Sequence, residues 1–203
     1  MKIGIFGSGN VGGALAESWA KAGHEIYLGL RDVNNFKGKE LLSIEGISAH
    51  SIQEAAALAE VLLFATPAQV VVDMIPLLGD LTDKVIVDAT NAVRFKPAPY
   101  PTAYHAFADL SKAEVVKCFN TTGFENMKNP QYGEMKLDMF MAGDSDRAKE
   151  IASQLSKEAG FEACYDFGKG DKVDLLEQFA LSWINLAIFQ GMGRGIGFKV
   201  LQR

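Results

Sequence analysis

The run Gly7-Ser8-Gly9-Asn10-Val11-Gly12 reads G-x-G-x-x-G, a spacing suited to holding a diphosphate rather than to bond-making by a side chain. In such a turn Gly7 permits the tight bend, Gly9 lets backbone approach a pyrophosphate, and Gly12 lets the following helix pack closely on the preceding strand. The helix then offers unpaired N–H groups and about half a positive charge to the phosphates. A plain strand-to-helix turn is the alternative, because glycines are common. Here an apolar strand precedes the motif, an amphipathic helix follows it, and a second strand completes the unit, which is the context it requires.

The choice of dinucleotide falls about 20 residues beyond the glycines, where an acid on the ribose 2′-hydroxyl marks NAD. This chain has Gly29-Leu30-Arg31-Asp32 there. With Leu30 in the acidic position, Arg31 is available to pair with a 2′-phosphate, which favours NADP. A shift of one residue would bring Asp32 to the ribose and favour NAD, and Arg31 as a solvated surface charge is the plainer reading.

Thr66, Asn91 and Asn120 each fall at or just after the end of an expected strand, where open α/β sheets bind ligands, and Thr121 follows directly. These four are the candidate transfer site, framing a nicotinamide ring. Local turn chemistry explains Thr and Asn in such places equally well. Hydride transfer needs donor and acceptor held about 3–3.5 Å apart and no acid–base dyad. The three histidines fit that picture: His24 follows a helix, His50 begins a loop and His105 follows a proline-rich stretch, all in positions suited to solvation or packing.

The elements that must position these residues alternate between short apolar strands and amphipathic helices, which predicts an α/β, Rossmann-type, doubly wound and mostly parallel sheet. Strands are expected at Ile3–Phe6, Glu25–Gly29, Val61–Ala65, Val85–Asp88, Glu114–Phe119, Phe140–Ala142 and Phe161–Tyr165. The first helix carries Val11, Ala14, Leu15, Ser18, Trp19 and Ala22 on one face and stops at Gly23. Further helices are expected over Phe36–Leu42, from a capping box at Ser51 to Ala59, over Ala68–Leu78 with Pro76 distorting its end, and around 148–155 before Gly160. Lys96–Pro101, with three prolines, must be a loop. A last helix runs from near Asp171 to Gly191, with Phe179, Trp183 and Phe189 on an apolar stripe read as core or as a dimer interface. The division expected is a nucleotide-binding domain over 1–170 and a short C-terminal helical extension with a glycine-rich tail over 171–203, packed as one unit.

Hydrophobic residues make up 48% and charged residues 22% of 203, so an ordinary core can form and disorder is not expected. A net charge of −5 gives no general attraction to nucleic acid or anionic membranes. Cys118 and Cys164 lie in apolar strand-like runs as packed thiols, no metal-ligating cluster is visible, and a cytoplasmic location suits that usage. The amino terminus enters a strand directly, so no leader is expected, and no apolar run reaches bilayer-spanning length.

Gly7–Gly12, Gly23-His24-Glu25-Ile26, Arg31, Ala65-Thr66-Pro67 and the terminal Gly191-Met192-Gly193 together resemble the coenzyme F420-dependent NADP oxidoreductase family. The cytoplasmic reductase domain of the six-transmembrane metalloreductases shares that fold family. The resemblance implies that Ser8, Gly9, Asn10 and Val11 line the pyrophosphate, Arg31 holds the 2′-phosphate, and Ala65–Pro67 border the ribose–nicotinamide end. It also implies that Cys118-Phe119-Asn120-Thr121 and Gly191–Gly193 form a pocket for a flat partner: F420, FMN or FAD. Two positions depart from the family: its serine before the arginine is Leu30 here, and its F420-pocket histidine is Asn120.

The expected function is therefore hydride transfer between NADP(H) and a flavin-like acceptor, by a homodimer. A non-catalytic NADP(H)-sensing module and an imine or small-acid reductase are the competing expectations. With only one helix after the nucleotide-binding unit, a shallow pocket for a planar ring is favoured over a buried small acid. The acceptor and the direction of transfer stay open at the level of sequence.

Overall fold

The computed structural model describes residues 1–203. Its centre is an eight-stranded sheet built from β1 (Lys2–Phe6), β2 (Glu25–Leu30), β3 (Ile47–Ser51), β4 (Val61–Phe64), β5 (Val85–Asp88), β6 (Glu114–Cys118), β9 (Met139–Ala142) and β10 (Cys164–Asp166). The order across the sheet is β10-β9-β6-β5-β4-β1-β2-β3. Six strands run parallel; β9 pairs antiparallel with β6, and β10 runs parallel to β9. The expected Rossmann-type α/β fold is thus the one observed. A separate hairpin joins β7 (Gln131–Tyr132) to β8 (Met135–Lys136).

Alternation within the strands explains why both faces are covered. Ile3, Ile5, Val61, Leu63, Val85 and Val87 belong to a core on one face. Phe6, Leu62, Phe64 and Ile86 belong to the core on the other. Side chains of a strand point alternately up and down, and each fully buried Leu, Ile or Phe contributes about 1.5–3 kcal/mol. Helices α1 (Asn10–Lys21) and α6 (Asp146–Glu158) cover the first face, and α2 (Ile52–Leu58), α3 (Val71–Met74), α4 (Ala103–Leu110) and α7 (Val173–Ile184) cover the second. The five-residue α5 (Phe124–Lys128) lies beside α1.

Several local expectations need correction. The helix expected over Phe36–Leu42 is a 3₁₀ turn at Lys39–Ser43, because Gly38, at φ 95°, enters it from the left-handed region. Ala68–Leu78 is not one helix but a 3₁₀ turn, the single turn of α3 and a second 3₁₀ turn that includes Pro76. The final strand is Cys164–Asp166 rather than Phe161–Tyr165; Phe161 instead caps the end of α6 by bonding Ser156. His50 lies inside β3, an edge strand whose ISAHS sequence is too polar to announce itself. Helices α4 and α5 and the hairpin have no counterpart in the sequence reading, being too short for a clear period. The capping box at Ser51 is present as expected, with Glu54 N–H on the Ser51 hydroxyl and the Glu54 carboxylate on the Ser51 N–H.

The last helix begins with a 3₁₀ turn at Gly170–Lys172, continues as α7 and widens into a π-turn at Asn185–Phe189. Phe189 is 72% exposed and so is not core, unlike buried Trp183 and the half-buried Phe179 that packs against it. The tail then folds back. Trp183 Nε1 and Asn126 Nδ2 both donate to the Ile196 carbonyl at 2.7 Å, Phe198 stacks on Phe179 at 4.4 Å, and Val200 N–H donates to Asp138 at 2.8 Å. A Cβ at Gly197 would lie 2.2 Å from the Leu137 side chain, which would have to shift to admit one.

Candidate active site

The chain leaves β1 for β2 and β3 on one side and returns to β4, β5 and β6 on the other, which opens a crevice at the carboxyl ends of β1 and β4. The glycine turn occupies it. Gly7 has φ 104°, and a Cβ there would sit 2.6 Å from the Ala65 carbonyl oxygen, so the turn after β1 lies against the turn after β4. A Cβ on Gly12 would meet the Gly7 carbonyl oxygen at 2.0 Å, which fixes α1 close to the sheet. At Gly9, by contrast, a Cβ would meet nothing within 4 Å: it would point into open space in front of the helix. Gly9 is the N-cap of α1, no side chain caps that end, and the first turn holds no acid. The free N–H groups and the dipole are left for an anion.

Ser8, Gly9 and Asn10 border a cleft of about 200 Å³ shared with Lys37, Phe124 and Lys128. The loop after β2 closes over it: Ser8 Oγ donates to the Lys37 carbonyl at 2.6 Å, and Lys37 Nζ donates to Asn10 Oδ1 at 3.2 Å. Two larger hollows, of about 310 and 330 Å³, lie around Val61 and Lys84 and around Leu81 and Lys112, at the amino ends of the strands. Neither holds any of the predicted site residues.

Leu30 is the last, buried residue of β2, and Arg31 is the first beyond it, exposed and paired with no carboxylate. Asp32 is turned to its own backbone, accepting from the Asn34 N–H at 2.9 Å. That arrangement leaves the guanidinium unpaired, while one Asp32 oxygen is taken up by its own loop.

At the other end of the crevice Asn91 and Asn120 clasp each other. Asn91 Nδ2 donates to the Asn120 carbonyl at 2.8 Å, and Asn120 Nδ2 donates to Asn91 Oδ1 at 3.0 Å. Phe119, just before Asn120, is held at φ 60°, a conformation costly for a bulky residue, with its ring edge-on to Trp19 at 5.6 Å. The Asn120 Oδ1, Thr66 Oγ1 and Thr90 Oγ1 atoms are buried without a partner. Buried orphans of this kind are rare and mark places where a ligand can complete the bonding. Thr121 is also buried, with its hydroxyl on the Met139 sulfur at 3.8 Å. The structure therefore brings Gly7–Gly12 together with Ala65–Thr66, and Asn91 together with Asn120. Gly191, Met192 and Gly193 are exposed, and the N–H groups of Met192 and Gly193 return to Leu186 and Ala187 at the end of α7.

Two features escaped the sequence reading. One is Lys37, on an exposed loop with no motif around it. The other is a buried charge cluster: Lys117 Nζ donates to Asp88 Oδ2 at 2.9 Å, to Glu177 Oε1 at 2.7 Å and to the Thr90 carbonyl at 2.6 Å. Burial alone would depress the Lys117 ammonium, but the facing Asp88 and Glu177 carboxylates hold it above its usual range. A signal existed, since Glu114-Val115-Val116-Lys117-Cys118 places a lysine inside an otherwise buried strand. Cys118, next along, stays a free thiol with Cys164 Sγ at 3.9 Å, and burial pushes it well above the normal thiol range.

Residues 2–92 match the family described as NADP oxidoreductase, coenzyme F420-dependent. The F420-dependent NADP reductase of Methanothermobacter thermautotrophicus is 26% identical over 225 residues, spanning 98% of this chain and 94% of that protein. A structure from Arthrobacter sp. FB24, provisionally assigned as an F420-dependent NADP-reductase, covers 100% of both chains with TM-score 0.86 at 24% identity. A reductive aminase from Aspergillus terreus, solved with NADPH and ethyl levulinate, covers 94% of this chain and 62% of its own, with TM-score 0.69 at 20% identity. The last two are likenesses of fold. The family resemblance carried by the glycine turn and its surroundings is shown by these matches. No helix is long and apolar enough to cross a membrane.

Proposed function

We propose that this chain, whose residues 2–92 match the family of the F420-dependent NADP oxidoreductases, is an NADP-dependent oxidoreductase that transfers hydride between NADP(H) and a flavin-like acceptor. The observation that carries the reading is the uncapped amino end of α1 with open space in front of Gly9, beside an unpaired Arg31. The residues present fit the coenzyme. Ser8, Gly9, Asn10 and Val11 would hold the pyrophosphate by backbone N–H groups; Arg31, joined by Lys37, would hold the 2′-phosphate. Ala65, Thr66 and Pro67 would border the ribose.

Bound there, the coenzyme would supply or take up the hydride. The protein supplies position. Thr66, Asn91 and Asn120 would orient the nicotinamide end, with the orphaned Thr66 Oγ1 and Asn120 Oδ1 as its polar partners. Thr121, whose hydroxyl turns into the core, would support the floor of that site. Gly191, Met192 and Gly193 leave α7 on the exposed side and would border the acceptor: F420 first, on the family's description, with FMN or FAD in its place. The division into residues 1–170 and 171–203 follows the same logic, the second part covering the site made by the first.

Exposed Ile188, Phe189, Met192 and Leu201 near the end of the chain suit a second copy, so the working state is a homodimer. Light scattering tests it; a monomer at micromolar concentration removes that part. NADPH oxidation monitored with F420, FMN, FAD, ferric chelates and a cyclic imine tests the rest. Turnover with a flavin-like ring is expected, turnover with the imine alone would shift the chain to the imine-reductase class, and binding without turnover would make it a sensor.

A further inference from the structure

The buried cluster does more than tie strands together. Asp88 ends β5, Lys117 lies in β6 and Glu177 in α7, so three separated elements meet on one ammonium that is 0% exposed. The three N–H bonds of Lys117 are all spent, on Asp88, Glu177 and the Thr90 carbonyl. Each of the four carboxylate oxygens also accepts an N–H: Asp88 Oδ1 takes that of Thr90 at 2.9 Å, and Glu177 Oε2 takes that of Ala92 at 2.9 Å. Every carboxylate oxygen accepts an N–H, and the cluster sets two acidic side chains against one ammonium.

The same bonds grip the chain on both sides of one residue. Thr90 N–H, Thr90 C=O and Ala92 N–H are all fixed by the cluster, and Asn91 stands between them, clasping Asn120. We propose that Asp88, Lys117 and Glu177 are positioning residues that aim Asn91, and that their net negative charge favours the oxidised, cationic nicotinamide over the neutral reduced one. This rests on the function proposed above. A dihydronicotinamide that loses hydride, with its electron pair, becomes a pyridinium cation; a flavin-like acceptor gains that hydride and a solvent proton. A desolvated negative charge beside Asn91 favours the cation over the neutral ring, so the proposed site is biased towards giving hydride away.

Glu177→Gln removes one negative charge at nearly constant shape, and Glu177→Leu removes charge and hydrogen bonds together. Calorimetry with NADP⁺ and NADPH separately reads the charge; the side-chain amide resonances of Asn91 and Asn120 read the position. In Glu177→Gln the affinity for NADP⁺ relative to NADPH should fall about five- to thirtyfold, the Coulomb scale for a nearby, partly screened charge. In Glu177→Leu both amide resonances should also move. Asp88→Asn makes the same change of charge from β5 and serves if the Glu177 variants do not fold. An unchanged affinity ratio in a variant that still binds both forms overturns the bias, and unmoved resonances in Glu177→Leu overturn the positioning. Wild-type protein that binds neither coenzyme overturns the function itself, a result distinct from either.

Discussion

The two ends of the crevice are made by different means. The end at the glycine turn, proposed for the diphosphate, uses six consecutive residues, Gly7–Gly12, and is built from backbone: absent Cβ atoms at Gly7 and Gly12 and free N–H groups at the start of α1. The opposite end, proposed for the nicotinamide, uses side chains drawn from Thr66 to Glu177, held by a clasp and a buried charge cluster. Backbone sites tolerate most substitutions except those at glycine, whereas a side-chain site depends on partners distributed along the whole chain.

The largest effect should come from the side-chain end. Lys117→Ala leaves two carboxylates buried and uncompensated, and breaking such a set costs about 3–5 kcal/mol in urea-induced unfolding. A loss under about 1 kcal/mol, the scale of an exposed pair, would erase the contrast between the two ends.

At the backbone end, Gly12→Ala must displace the Gly7 carbonyl, which a Cβ would approach to 2.0 Å. Overpacking of that kind costs about 1–3 kcal/mol, and NADP binding measured by calorimetry should weaken with it. Unchanged coenzyme affinity would show that the turn does not hold the phosphates.

Arg31→Ala should cost NADP about 1–3 kcal/mol of binding while leaving NAD nearly unaltered. Equal losses for the two coenzymes would show that Arg31 does not choose between them.

The smallest effect lies outside both ends. Burial first, and then the neighbouring Asp144 carboxylate, push the Tyr104 hydroxyl up to about 12 from 10.0. The folded state thus favours neutral Tyr104, and its contribution is complete below pH 10 and lost as pH rises towards 12. Thermal unfolding of Tyr104→Phe should decline less steeply over that range than unfolding of the wild type, with both unchanged relative to each other between pH 7 and 9.

Legibility in the sequence tracks the range of the forces involved. The strands β1, β4, β5 and β6 and helix α1 stand out because buried strands are continuous apolar runs and α1 has a clear helical period. The edge strand β3 and the short α5 do not, since neither buries enough of one face to impose a pattern. Pro76 announces a distortion, yet the break of Ala68–Leu78 into three short turns depends on packing against α4 and the sheet. In the site, Gly9 and Arg31 could be named from spacing alone. Lys37 could not, because its place beside Asn10 is set by how the loop from Arg31 to Leu41 closes.

By itself the sequence determined the inner strands β1, β2, β4, β5 and β6, the glycine turn and the cation after β2, because each depends on neighbours within a few residues: a missing Cβ, a helix end, a strand's last position. Only the tertiary structure decided that Lys117 meets Asp88 and Glu177, that Asn91 faces Asn120, and that the glycine-rich tail returns to Asp138. Those pairings join residues 29 to 60 positions apart, or bring the last residues back over 62, and a buried charge finds its partners through the fold rather than along the chain.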